Sequence, residues 1–382
     1  MRRSSRGQVD AFIVMDMVAE AARLEAEGRH IIHMEVGQPG SGAPAVAVEA
    51  VTAAMQSESL GYTMALGLPE LRRGIAELYQ RWYGVDLNPE RVIVTSGSSG
   101  AFLLAFTALF EAGDRVGLGE PGYPSYRQIL KALSLEPVGI ATSATNRLQP
   151  VPADLEGVAM AGLIVASPGN PSGTMLSRNA LTALMDHAAG RGISFVSDEI
   201  YHGLHYGARA HSALEISDDV YVINSFSKYF SMTGWRVGWM VVPQDHLRSI
   251  ERLAQNMFIC PPHVSQLAAL AALQSHDEMQ ENLAVYRENR RLMLQGLPEA
   301  GLTQIAPPDG AFYIYADISE FGVDSRTFAA EVLREAGVAL TPGLDFDPIR
   351  GGHTIRLSYA QATGEIIEGL RRLKQFMQNR YV

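Results

Sequence analysis

From about residue 44 onward, short apolar runs rich in Val and Ile alternate with stretches whose apolar positions recur at helical spacing. RVIVTSG is followed by SSGAFLLAFTALFEAG, DRVGLGEPG by YPSYRQILKAL, and LIVASPGN by SRNALTALMDHAAGRG; ISFVSDE, VYVINSFS and GWRVGWMVVP complete the series. The short runs predict strands buried on both faces, and the longer ones predict amphipathic helices. Strands alternating with helices build a mostly parallel, doubly wound α/β sheet covered on both sides. Ahead of this series, AFIVMDMVAEAA predicts a helix over roughly 10 to 28, and HIIHMEV a short strand ending at Gly37. After GWRVGWMVVP, helices are expected from about 245 to 295. The rhythm then changes to GAFYIYADIS, a helix near SRTFAAEVLREAG, the strand HTIRLSYA and a closing helix. The expected organisation is a large α/β domain over 44–285 and a smaller α+β domain assembled from 1–43 and 286–382.

Charge and composition narrow the partners. With 382 residues and 47% apolar side chains the chain can bury a large core. A net charge of −10 opposes nucleic acid as a partner, because phosphate backbones need clustered Lys and Arg. The one basic cluster, MRRSSR, is followed by a run that Asp10, Asp16 and Glu20 interrupt, so it does not read as a secretory signal. No run is long and apolar enough to span a membrane. Cys260 is the only cysteine, which excludes an internal disulfide and fits a reducing cytoplasm. Small molecules are the expected partners.

Polar motifs recur just after the strands: Ser98, Gly119-Glu120-Pro121, Pro168-Gly169-Asn170, Asp198 and Ser225. Strand ends line the ligand crevice of such a sheet. Within FSKYFSMTGWRVGW, Lys228 stands between serines and aromatics, where desolvation disfavours the ammonium and readies the amine for a Schiff base. A cofactor aldehyde with a pyridine ring and a phosphate would need further groups. Asp198 could face the ring nitrogen, an attraction of about 4 kcal/mol at an effective dielectric near 20 before desolvation. Gly97-Ser98-Ser99-Gly100 opens a helix, where backbone N–H groups and hydroxyls meet an anion, and Arg236 could add a charge-assisted bond. Singly, each has an ordinary reading: a surface lysine, a helix cap, a turn. His202 and His205 near Asp198 lack the spacing of a zinc motif, so no metal is expected.

The ordered series GSSGA, EPGYPSY, SPGNPSGT, SDEIY, SFSKYFSMTGWRVGW and IRLSY resembles the fold-type-I aminotransferases that use pyridoxal 5'-phosphate, in the class including aspartate and aromatic aminotransferases. The resemblance runs from about Gly37 to Tyr359 and implies the following roles. Lys228 forms the Schiff base and then moves the proton at the substrate Cα. Asp198 pairs with the pyridine nitrogen, Asn170 and Tyr201 donate to the phenolate oxygen, and Tyr123 stacks on the ring. Ser98, Ser99, Ser225 and Arg236 hold the phosphate, while Tyr62 reaches the phosphate of a neighbouring subunit in a homodimer with shared active sites. Arg356 forks onto the substrate α-carboxylate, with Gly37 in close backbone contact. The reaction implied is ping-pong transfer of an amino group between an L-amino acid and a 2-oxo acid.

Some aspartate-using relatives carry a lysine at the position of Ser99, and its absence here weighs against aspartate. Arg127 and Arg350 could substitute for it, or be solvated surface charges. Two alternatives use the same residues differently: a carbon-sulfur β-lyase on the same fold, and a non-catalytic ligand-sensing module. The residues before Gly37 are too few and too acidic for the DNA-binding region that such a sensor carries.

Overall fold

The computed structural model describes residues 1–381. In chain order its strands are β1 (Ile32–His33), β2 (Val92–Thr95), β3 (Arg115–Glu120), β4 (Glu136–Ala141), β5 (Gly162–Ala166), β6 (Ser194–Asp198), β7 (Tyr221–Ser225), β8 (Gly238–Val241), β9 (Ile305–Ala306), β10 (Tyr313–Asp317), β11 (Val338–Ala339), β12 (Thr341–Pro342) and β13 (Thr354–Ser358). The helices are α1 (Ile13–Ala26), α2 (Ala45–Ser57), α3 (Pro69–Tyr83), α4 (Gly97–Leu109), α5 (Pro124–Ala132), α6 (Arg178–Ala189), α7 (Leu247–Met257), α8 (His263–Ala272), α9 (His276–Glu299), α10 (Ser325–Glu331) and α11 (Thr363–Arg380).

Seven strands form one sheet in the order β2-β8-β7-β6-β5-β3-β4, parallel except at β8, which runs against both neighbours. The central strands are buried on both faces, as their Val- and Ile-rich sequences require. Successive side chains enter opposite cores: Val92, Val94, Leu163, Val165, Val222 and Trp239 pack in one. Ile93, Ile164, Val196, Ile223 and Met240 pack in the other. The reversal of β8 has a functional consequence. Gly238 at its start is in register with Thr95 and Ser225 at the ends of β2 and β7, so the residues entering β8 meet the carboxyl ends of the parallel strands at one rim.

Two smaller sheets, β12-β13-β10-β9 and the pair β1-β11, use strands from residues 32–33 and 305–358. The N-terminal strand is shorter than HIIHMEV suggested, because only Ile32 and His33 pair, with Val338 and Ala339. The edge strand β4 was not expected; it carries Pro137 and is largely solvent-facing, so its sequence lacks an apolar run. Past α10 the chain continues through one π-helical turn over Val332–Ala336.

Candidate active site

At the shared rim lies a cavity of about 280 Å³. Of the residues expected at this chain's own site, all but Ser225 line it; Tyr62 is expected at the neighbouring subunit's site. Lys228 follows β7, and its Nζ donates to the Gly37 carbonyl at 2.5 Å, with the rings of Tyr201 and Phe312 within 6 Å. Burial, then the charges of Arg356 and Arg236, push the lysine down to about 7, with Asp198 pulling the other way. Asp198 ends β6 and is 4% exposed. It accepts hydrogen bonds from the Tyr126 hydroxyl and from the Ile200 amide at 3.0 Å. Burial raises it to about 6 against these bonds and against Lys228. A carboxylate in that position gains from a cation placed before it in the cavity.

The anion cradle is built from two chain segments. Gly97 opens α4 at φ +70, and a Cβ there would stand 2.3 Å from Arg236 Nη2, so glycine lets the guanidinium lie against the helix N-terminus. Arg236 takes a left-handed conformation just before β8 and is held by Nη1 on the Thr233 carbonyl at 2.9 Å. Ser98 and Ser99 line the cavity at the start of the helix, where backbone N–H groups lack intrahelical acceptors.

Arg356 on β13 is 4% exposed and sandwiched between the rings of Tyr313 and Phe346, 4.5 and 4.6 Å from its guanidinium carbon. Its Nη1 donates to Asn170 Oδ1 at 3.0 Å and its Nη2 to the Glu35 carbonyl at 2.5 Å, while Nε is buried without a partner. Among the described residues no carboxylate pairs with it, so a buried, uncompensated guanidinium lines the cavity. Tyr201 shares a hydrogen bond with Tyr313 at 2.9 Å, and Tyr123 stands edge-on to Tyr126.

Ser225 departs from its expected place, and Tyr62 stands away from this chain's own cavity, as a role at a neighbouring site requires. Ser225 Oγ donates to the Val237 carbonyl at 3.0 Å and accepts from the Ser227 backbone amide at 3.1 Å, so its proton is engaged at the root of the turn; Ser227 lines the cavity instead. Tyr62 is 84% exposed, on the loop between α2 and α3. Of the two histidines, His202 is engaged within the fold. His202 Nε2 donates to the Ser167 carbonyl at 2.9 Å, which leaves Nδ1 to accept from Tyr83 at 2.6 Å, and burial drives the ring down to about 3, so it is neutral.

Several lining residues were not anticipated. Tyr126 is one turn past Tyr123 in a motif already read, so helical spacing could have found it. Tyr313 and the apolar Phe12, Val14, Met15, Val18 and Phe346 come from distant segments with no local signature. Asp345 brings the N-terminal helix to the cavity: its carboxylate accepts from the first amides of α1, Ile13 N at 2.9 Å and Val14 N at 3.2 Å.

A mostly parallel sheet whose strand ends gather a buried lysine, a buried aspartate and an anion cradle defines a fold-type-I enzyme. The chain belongs to the class I and II aminotransferases, matching that family over residues 29–373. It is 44% identical to the valine–pyruvate aminotransferase of Mycobacterium tuberculosis, over 98% of both chains. A solved structure from Silicibacter pomeroyi assigned as an aminotransferase is 63% identical, with a TM-score of 0.95 and full coverage of both chains. The aspartate aminotransferase of Thermus thermophilus with maleate is 30% identical, with a TM-score of 0.92 over 98% of this chain and 100% of that one. The protein is an aminotransferase that moves an amino group between an amino acid and a 2-oxo acid, and these relatives do not favour the lyase alternative. Among the described residues no helix is long and apolar enough to cross a membrane.

Proposed function

We propose that this enzyme holds pyridoxal 5'-phosphate in the cavity and transfers amino groups by a ping-pong route from small apolar amino acids, valine and alanine among them, to short monocarboxylic oxo acids such as pyruvate. The carrying observation is the wall opposite the anion cradle. Phe12, Val14, Met15, Val18, Val36 and Phe346 make it apolar, and among the described residues Arg356 is its one cation. A substrate with one carboxylate is matched there. A second carboxylate would meet apolar side chains and Asp345, with no charge to balance it. The valine–pyruvate specificity named for the Mycobacterium relative agrees with this reading.

The donor set fits the cofactor: Ser98, Ser99 and Arg236 for the phosphate, Asp198 for the ring nitrogen, Tyr123 for the ring face, Asn170 and Tyr201 for the phenolate oxygen. When bound, the cofactor supplies an aldehyde and an electron-withdrawing ring. Lys228, lowered to about 7, presents a free amine near neutral pH and takes the proton from the substrate Cα. Asp198 keeps a proton on the facing nitrogen, and Arg356 orients the substrate through its α-carboxylate. The apolar wall excludes water from the exchange of this proton.

The reading extends to assembly. Residues 44–285 form the large domain, with 1–43 and 286–382 forming the small one. Val46, Val48 and Met55 on α2, with Tyr62, Met64, Met257 and Ile259, are exposed large apolar side chains. The loops bearing them are joined, Thr63 N to Cys260 and His263 to the Gly61 carbonyl, and α2 packs on α8. A second copy on this face makes a homodimer in which Tyr62 serves the neighbouring site. A single cysteine accords with a cytoplasmic location.

Absorbance of the cofactor-loaded protein tests the function. Valine or alanine added alone should convert the bound cofactor to its amine form and release one matching 2-oxo acid per site, with aspartate far slower. Aspartate reacting as fast as valine would overturn the specificity. Continuous release of pyruvate from cystathionine without oxo acid would overturn the reaction type.

A further inference from the structure

We infer that a second cavity, of about 400 Å³ between the end of α3, the 203–210 loop and the first half of α9, is a binding site for a small organic anion carrying a planar ring. The site is separate from the cofactor cavity and the inference does not depend on the substrate assignment. Its charge is the first reason. In a chain of net charge −10, the lining includes Arg81, Arg209 and Arg287 and, among the described residues, no Asp or Glu. Arg209 is matched by a bidentate pair with Glu215 at 2.7 Å, and Arg81 faces Glu77 only at 4.0 Å. Arg287 makes no ion pair or hydrogen bond among the described residues. His205 is held below the usual histidine range by burial first and then by Arg209 and Arg287, and Arg287 is the lining's uncompensated positive charge. Such a concavity concentrates anions.

The second reason is the wall. Trp82, Tyr83, Tyr206 and Tyr229 present aromatic surface to the same space, and Arg209 lies over the Tyr83 ring at 5.6 Å. Aromatic faces beside guanidiniums select a flat ring that bears a charge over a bare ion. The walls are braced. Trp82 meets Tyr229 edge-on at 5.2 Å, the Tyr229 hydroxyl accepts from Gln280 at 2.9 Å, and Gly203 packs so closely on that ring that a Cβ would stand 2.5 Å from it. Tyr229 follows Lys228, so the site abuts the catalytic turn. The exposed apolar side chains assigned to the subunit interface do not line this cavity.

The test is calorimetric titration of the cofactor-loaded protein with AMP, indole-3-acetate and inorganic phosphate, repeated with Arg287→Ala. At least one ringed anion should bind saturably at one per chain and more tightly than phosphate. Arg287→Ala should weaken that binding about tenfold and leave amino transfer without the probe unchanged. AMP binding in preference to indole-3-acetate makes the anion a phosphate, and the reverse makes it a carboxylate. The proposal is overturned if neither ringed anion binds saturably, if phosphate alone binds as tightly, or if Arg287→Ala binds as well as the unaltered protein.

Discussion

The two walls of the active-site cavity are made differently. The wall at the ends of β2, β6 and β7 and the start of β8 carries Asp198, Lys228 and Arg236, two of them displaced far from their ordinary protonation range by burial. The facing wall, from α1, the segment after β1 and residues 345–356, is apolar apart from Arg356 and Asp345. The first is fixed by a sheet with cores on both faces; the second is assembled from segments more than 300 residues apart in the chain. On the proposed function, chemistry sits on the rigid wall and choice of substrate on the assembled one. Substitutions on the first should reduce turnover, and those on the second should change KM.

The largest effect expected is at Lys228. Lys228→Ala should lower multiple-turnover rates by at least about 10⁴-fold, because nucleophile and base are lost together; near-normal steady-state turnover would remove the lysine from the chemistry. Asp198→Ala should follow, with kcat reduced about 10²- to 10³-fold and faster cofactor loss, both measurable by stopped-flow absorbance and dialysis. Unchanged kinetics would leave Asp198 as a cap for Ile200. On the opposite wall, Arg356→Ala should raise KM for valine about 100-fold with a smaller change in kcat. Arg356→Lys should recover only part of the affinity, since an ammonium cannot form the planar fork held between Tyr313 and Phe346.

The Lys228 environment also sets a pH dependence. The reactive form is the neutral amine, and an ordinary lysine near 10.5 would offer about 1 part in 3,000 of it at pH 7. With the folded value lowered to about 7, half is free at that pH. Capture of added pyridoxal phosphate by cofactor-free protein should therefore be nearly flat above pH 8 and fall about tenfold per pH unit below 7. A rate still climbing tenfold per unit up to pH 10 would show that burial and the neighbouring arginines do not lower the amine.

The rigid wall was readable because its residues cluster in short motifs after apolar runs: Asp198 closes ISFVSD, Lys228 follows VYVINS, and Arg236 precedes GWMVV. Alternation of buried strands fixes where such motifs emerge. Finer detail was not readable there. Ser225 and Ser227 differ in whether their hydroxyls reach the cavity or the Val237 carbonyl, a choice made by the tight turn rather than by residue type. The assembled wall was legible only at Gly37 and Arg356. Its apolar members look like any amphipathic helix face, and the carboxylate that seats them is 332 residues from Ile13.

Asp345 gives the finest separation of the two walls. It is buried, and its two oxygens satisfy the first two amides of α1, whose own N-cap residue, Phe12, offers no side-chain acceptor. Asp345→Ala should cost about 1 kcal/mol of stability, as loss of a cap does, read as a modest fall in Tm. The larger consequence is positional: Phe12, Val14, Met15 and Val18 would no longer be held against the cavity, so KM for valine should rise a few-fold. Cofactor retention and the response to Lys228 protonation should stay as they are, because among the described residues the first amides of α1 bond to Asp345 and not to the rigid wall. Asp345→Asn, which keeps one acceptor oxygen, should recover much of the KM without restoring the charge. If Asp345→Ala instead lowered kcat and cofactor affinity while leaving KM unchanged, α1 would belong to the catalytic wall and the division of labour drawn between the two sides of the cavity would fail.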